Sequence, residues 1–341
     1  MSEASAPKAA IFGCAGPRLL PEEEAFFRAA DPFGFILFAR NCEAPEQLRD
    51  LVASLRAAVG RDDAPVLIDQ EGGRVARLKP PNWRALPPPA FFGRMATHDW
   101  QRASEALRLN SRLLAIELRA LDIDVDCVPV LDLQFPGASD VVGDRSFGGD
   151  PELVAGLGRI VCETMLAEGI MPVIKHLPGH GRARVDSHKE LPVVGTALAE
   201  LEARDFRPFE QLSEMPWGMT AHVVFTALDP DNPATTSGRV IAEVLRGHIG
   251  FQGLLLSDDL SMEALEGTLG ERAGRALAAG CDVALHCNGK PEEMEQVAEA
   301  APALTAAALA RIAAGRKRLG TPESVDPALL QRRLDLLMNV D

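Results

Sequence analysis

Eight times along the chain, a short apolar run stops abruptly at polar, charged or glycine residues, and a segment with helical spacing follows. The runs are Lys8–Gly13, Gly34–Phe38, Pro65–Ile68, Asp124–Val130, Pro172–Ile174, Gly218–Val224, Gly253–Ser257 and Cys281–Leu285. The segments between them read as helices: Pro21–Ala30, Pro45–Val59, Trp100–Leu121, Pro151–Glu168, Ala197–Leu212, Arg239–Leu245 and Glu271–Ala279. Buried parallel strands read as continuous apolar runs, and parallel strands need a crossover between them, usually a helix. A count of eight points to a single (β/α)8 TIM barrel occupying residues 1–341, with the alanine-rich helices from about residue 291 packing on it. A doubly wound open sheet is the alternative. It is disfavoured because no Gly-rich phosphate fingerprint follows the first run.

The helix limits follow from local chemistry. Pro21, Pro45 and Pro151 suit the first turn, where a backbone N–H has no partner in any case. Asp150 is placed to cap, and Gly169 to terminate. Leu48, Leu51, Val52 and Leu55 recur at helical spacing. Lys79–Pro89 holds five prolines and reads as a loop.

Composition narrows the function. The formal net charge of −14 disfavours a nucleic-acid backbone or an anionic membrane as partner. No run of 18 apolar residues occurs, and the N-terminal segment has no basic stretch followed by an apolar core, so a cytoplasmic protein is expected. The six cysteines, with no CxxC among them, read as buried free thiols.

Chemistry in a barrel collects at the C-terminal ends of the strands. Here those ends offer Asp69, with Arg77 slightly beyond, then Arg145, Lys175, His176, His188, His222 and Asp258. Taken singly, Arg77 and Arg145 also suit structural ion pairs, and His222, in an apolar run, suits a hydrogen-bonded core histidine. His176, His180 and His188 allow a metal-dependent hydrolase, although their spacing fits neither a helical pair nor a zinc finger. Asp258-Asp259 closes a buried run. A carboxylate there is held rigidly enough to act as a nucleophile, while Asp259 suits an N-cap for a following helix.

Four motifs in order, DQEGGRVARL at Asp69, GDRSFGGDP at Gly143, KHLPGHG with DSH from Lys175, and GFQGLLLSDDLSM at Gly250, resemble those of the NagZ-type β-N-acetylhexosaminidases of glycoside hydrolase family 3. With GFILFARN at Gly34, the likeness runs from about Gly13 to about Asn288. It implies a retaining exo-β-N-acetylglucosaminidase without metal or cofactor, acting as a monomer on a small amino-sugar or muropeptide substrate from peptidoglycan recycling. Asp258 would be the nucleophile, His188 the proton donor and acceptor, and Asp186 the partner that tunes it. Asp69, Arg77, Arg145, Lys175 and His176 would hold sugar hydroxyls, and His180 would shape a loop that closes over substrate. An imidazole, with its ordinary pKa near about 6.5, suits a group that must both give and take a proton.

Three positions depart from the family pattern: Leu177 stands for an aromatic, Arg182–Val185 for an acidic or threonine-containing stretch, and His248 for other polar residues. A phosphorylase remains a second reading, since a neutral acid/base repels an incoming phosphate less than a carboxylate would. A sugar-binding sensor is a third, and it would need neither Asp258 nor His188.

Overall fold

The computed structural model of the protein describes residues 6–187 and 190–339. Eight parallel strands close into a barrel in chain order: β1 (Lys8–Gly13), β2 (Pro32–Leu37), β3 (Val66–Ile68), β4 (Val125–Asp126), β5 (Met171–Leu177), β6 (Trp217–Thr220), β7 (Leu254–Asp259) and β8 (Val283–His286), with β8 pairing back onto β1. This is the (β/α)8 barrel that the alternation of apolar and helical segments predicts. The strands are buried on both faces, by the barrel interior and by the surrounding helices, so no edge is left to blunt.

Helices Pro21–Ala30 and Pro45–Val59 fall where expected. Helix Pro151–Ala167 opens on Asp150, whose carboxylate accepts from the Glu152 and Leu153 N–H groups at 2.9 and 3.0 Å. Other limits move. The ladder of β4 is interrupted after Asp126, where the Val128 N–H turns back to the Asp126 carbonyl, and pairing with β5 resumes as Val128 and Pro129 accept from Val173 and Lys175. β5 runs on to Leu177, so Lys175 and His176 sit inside the strand rather than after it. β6 ends at Thr220, which leaves His222 in the loop beyond. Val224–Phe225 pairs instead with Val193–Val194. The expected helix at Ala197–Leu212 is broken into short turns, Leu198–Glu200, Leu201–Asp205 and Arg207–Gln211. Asp259 caps no helix: the next one begins at Leu269, capped by Thr268.

One helix, Pro89–His98, was not anticipated from the proline-rich stretch before it. It packs on helix Trp100–Arg119 and against the loop that carries Arg145. After β8 come helices Pro291–Ala300, Ala306–Arg316 and Pro327–Met338. The last of them packs on Trp100–Arg119. The six cysteines are free thiols, and all but Cys42 are buried.

Gly93 is where helix Pro89–His98 meets the Arg145 loop. A Cβ at this position would stand 1.6 Å from the Phe147 carbonyl oxygen. Alanine raises helix propensity by about 1 kcal/mol, so on propensity alone Gly93→Ala would stabilise. The close approach predicts the opposite, a loss of about 2 kcal/mol in urea unfolding. A stabilised variant would show that the packing is not this tight.

Candidate active site

At the C-terminal end of the barrel a cavity of about 280 Å³ is lined by Asp69, Arg77, Arg145, Lys175, His176, Asp186 and Asp258. Every residue that the family resemblance assigns to the site therefore reaches one pocket, except His188, which lies outside the described residues; His222, also offered by the strand ends, does not line it. Glu71, His180, Phe38, Asp259 and Cys287 complete much of the wall.

The floor is a chain of alternating charges. Arg77 Nη2 donates to Asp69 Oδ2 at 3.0 Å, and Lys175 Nζ donates to Asp69 Oδ1 at 2.7 Å. The same ammonium pairs with Glu71 Oε1 at 2.7 Å. Both Glu71 oxygens also accept from Arg145, each at 2.8 Å. The Lys175 and Glu71 side chains are only 2% and 1% exposed, so neither charge is satisfied by water. Burial alone would raise the Glu71 carboxyl, but Arg145 and Lys175 outweigh it and lower the pKa to about 2. Burial would also raise Asp69, which Lys175 and Arg77 likewise hold below the ordinary carboxylate range. Lys175 would be pulled down by burial, and Asp69 and Glu71 hold it well above its usual value. Arg77 and Arg145 are thus paired, as their structural reading allowed, and line the pocket as well. Arg77 also lies over the Phe38 ring, 4.9 Å from its centroid, and its buried Nε has no partner among the described residues.

Local sequence builds the loops that present these groups. Gln70, fully buried, accepts from the Arg77 and Leu78 N–H groups and donates to the Leu78 carbonyl, closing the turn that aims Arg77. Gly72 sits at φ 101°, where a Cβ would meet the Pro87 carbonyl oxygen at 2.2 Å. Arg74 then pairs with Asp144 at 2.9 Å and bonds the carbonyls of Asp140 and Val141, tying this turn to the Arg145 loop.

On β5, His176 Nδ1 meets Asp132 Oδ2 at 2.6 Å. Asp132 Oδ1 accepts the His180 N–H at 2.6 Å, and His180 Nε2 reaches Ser187 Oγ at 3.0 Å. Burial would raise Asp132, but His176 and His180 bring its pKa down to about 2. His180 is lowered to about 4, mainly by burial, so its ring is neutral near pH 7. His180 thus belongs to the framework of the loop. Among the described residues no group of three or more His, Cys, Asp or Glu side chains is arranged to hold a metal ion. The His248 ring lies elsewhere, pairing with Glu210 at 2.9 Å.

Asp258 ends β7. Its Oδ1 accepts the Asp259 N–H at 2.8 Å, leaving Oδ2 uncommitted among the described residues. Burial would raise this carboxyl, but the His176 charge and the Asp259 N–H, among others, hold it below its ordinary value. It is therefore an ionised carboxylate with one oxygen oriented and the other open, facing donors on β3 and β5. Asp259 turns away, accepting from Ser261 N–H and Oγ and from Cys287 N–H.

Sequence reasoning missed Glu71 and Asp132. Glu71 stands two residues after Asp69 in the same motif, so its place was signalled. Asp132 lies six residues beyond β4 with no local cue.

Residues 26–321 match the glycosyl hydrolase family 3 N-terminal domain. A beta-hexosaminidase of Alkalilimnicola ehrlichii is 42% identical over 84% of this chain and 82% of its own. One of Aromatoleum aromaticum is 39% identical over 91% of this chain and 87% of its own. Among solved structures, NagZ from Neisseria gonorrhoeae in complex with N-trifluoroacetyl-D-glucosamine superposes with a TM-score of 0.84. It is 32% identical and is matched over 98% of this chain and 97% of its own.

The charge chain yields a linkage prediction. Glu71 has an ordinary pKa of 4.5 and about 2 in the folded protein, so its stabilisation is complete above pH 4.5 and lost as pH falls toward 2. Glu71→Gln removes one of two carboxylates shared by three cations. Urea unfolding at pH 7 should show a loss of about 3 kcal/mol, with a shallower decline below pH 4.5 than in the parent. Equal stability at pH 7 would refute the coupling.

Proposed function

The chain belongs to glycoside hydrolase family 3 and is a β-N-acetylglucosaminidase of the NagZ type, and on that basis we propose that it cleaves terminal N-acetylglucosamine with retention, through a covalent glycosyl–enzyme intermediate. The observation that carries this reading is Asp258, ionised, with Oδ1 oriented by a backbone N–H and Oδ2 open beside the charge-lined pocket.

In the first step Asp258 Oδ2 attacks the anomeric carbon as the bond to the leaving oxygen breaks. His188 delivers a proton to that oxygen, with Asp186 as its partner. In the second step His188 takes a proton from water, whose oxygen attacks the anomeric carbon and releases Asp258. Asp69, Arg77, Arg145, Lys175 and His176 hold the sugar. A carboxylate and a guanidinium each offer two hydrogen-bonding atoms in fixed geometry, which suits adjacent hydroxyls.

The natural substrate in this reading is N-acetylglucosamine linked to 1,6-anhydro-N-acetylmuramic acid, with or without peptide, met in the cytoplasm during peptidoglycan recycling. Among the described residues no helix is long and apolar enough to cross a membrane. Residues 1–341 would work as one catalytic unit.

Asp258→Ala should lower kcat on an aryl N-acetyl-β-D-glucosaminide by about 10⁴-fold or more. Proton NMR of the parent reaction should show the β-anomer of the free sugar first. Activity in the variant near that of the parent, or release of the α-anomer first, would overturn the nucleophile assignment. Sugar 1-phosphate formed on adding phosphate would instead establish the phosphorylase reading.

A further inference from the structure

His222 is fully buried just past β6, and no role in the reaction falls to it in the reading above. Its Nε2 lies 3.0 Å from the Asp259 carbonyl oxygen, and its Nδ1 lies 2.7 Å from Thr235 Oγ1. Thr235 Oγ1 is 2.8 Å from Thr220 Oγ1, which receives the Asp258 N–H at 3.4 Å. Thr220 and Thr235 are also fully buried, so these groups have only one another and nearby carbonyls as partners.

The direction of every bond is fixed by valence. A carbonyl oxygen only accepts, so His222 Nε2 carries the hydrogen. In the neutral ring Nδ1 then accepts, so the Thr235 hydroxyl turns its hydrogen to this 2.7 Å contact rather than to the Ala221 carbonyl at 3.1 Å. With its one hydrogen used, Thr235 accepts from Thr220, and Thr220 in turn accepts from the Asp258 N–H. Burial lowers the His222 pKa and keeps the ring neutral. The path begins at the Asp258 N–H and ends at the Asp259 carbonyl. The Asp259 N–H, which orients Asp258 Oδ1 at 2.8 Å, lies between those two anchored points.

We infer that His222 is a positioning residue, which with Thr235 and Thr220 closes a ring of hydrogen bonds that sets the Asp258 carboxylate at its angle of attack. The ring touches neither the pocket-facing oxygen of Asp258 nor the sugar-binding charges. Its hydrogen bonds reach the nucleophile through the backbone. This rests on the reading of Asp258 as nucleophile, and it makes attack, rather than sugar binding or proton delivery, the step sensitive to His222 and Thr235.

The test uses the whole protein with Thr235→Val, His222→Gln and His222→Leu. The readout is single-turnover release of 2,4-dinitrophenolate from its N-acetyl-β-D-glucosaminide, a leaving group that needs no proton. Thr235→Val, nearly isosteric, should slow release about 10-fold and His222→Leu about 100-fold, with the substrate concentration for half-maximal rate changed less than about 2-fold. His222→Gln keeps an N–H for the Asp259 carbonyl and an oxygen for Thr235, so it should retain the parent rate within about 3-fold. Parent-like release in Thr235→Val would overturn the proposal. So would a loss seen with the 4-nitrophenyl glycoside but absent with the dinitrophenyl one, since the defect would then lie in proton delivery. If His222→Leu fails to fold, the contrast of Thr235→Val with His222→Gln still decides. A parent rate in Asp258→Ala would count against the nucleophile reading itself, a failure separate from that of the ring.

Discussion

The run of charges Arg77–Asp69–Lys175–Glu71–Arg145 is the constraint on which the upper face of the barrel depends. Taking an ion out of water costs several kcal/mol, and a single buried pair often fails to recover that cost. A chain does better, because each interior member has two partners: Asp69 and Glu71 each serve two cations, and Lys175 serves two anions. The energetic consequence is cooperative. No loop leaves without cost, since removing Arg77 or Arg145 leaves Asp69 or Glu71 with Lys175 as its remaining partner in the chain of charges. The loops after β3 and β4 are therefore locked to the middle of β5. The surplus of one cation over the anions leaves the floor able to donate to hydroxyls.

That lock explains how much of the site was legible in the sequence. Asp69, Lys175, His176 and Asp258 stand at or beside the ends of apolar runs, where strand geometry places side chains in the barrel mouth, and they were found. Arg77, Arg145 and Asp186 lie on loops. Arg77 and Arg145 were reached by following the chain past the strand ends, and the motif resemblance gave them a role; Asp186 came from the resemblance, because no periodicity governs a loop. Glu71 was hidden by its neighbour: one carboxylate at the end of β3 sufficed for the argument, and the need for a second appears only when three cations are seen to share it. Asp132 acts through a long-range bond to His176, which a linear reading does not show. The barrel itself was clear because eight apolar runs alternate with helices. Its irregularities are local, as where the Val128 N–H turns back to the Asp126 carbonyl and interrupts the β4 ladder.

The framework divides into parts held in different ways. The charges on the pocket floor are fixed by ion pairs. The first half of the loop after β5 is fixed by His180, whose N–H is held by Asp132, and by Gly181, where a Cβ would fall 1.9 Å from the Leu133 carbonyl oxygen. Arg182 adds a pair with buried Asp205 at 2.8 Å and stacks over Phe135 at 4.0 Å. The sequence between Ala183 and Pro192, which includes Asp186 and His188, follows this pinned stretch.

Asp258 is held in the third way, through neutral donors and acceptors. The choice follows from the chemistry asked of it. A carboxylate whose two oxygens are both engaged by cations, as those of Asp69 and Glu71 are, has its electron pairs occupied, which suits a fixed acceptor. Fixing Asp258 by its own N–H and by the Asp259 carbonyl transfers the restraint to the backbone. Only one carboxylate oxygen is then occupied, and by a single amide. The barrel mouth thus carries carboxylates of opposite character in one pocket: Asp69 and Glu71 just after β3, with both oxygens engaged by cations, and Asp258 on β7, with Oδ2 uncommitted among the described residues.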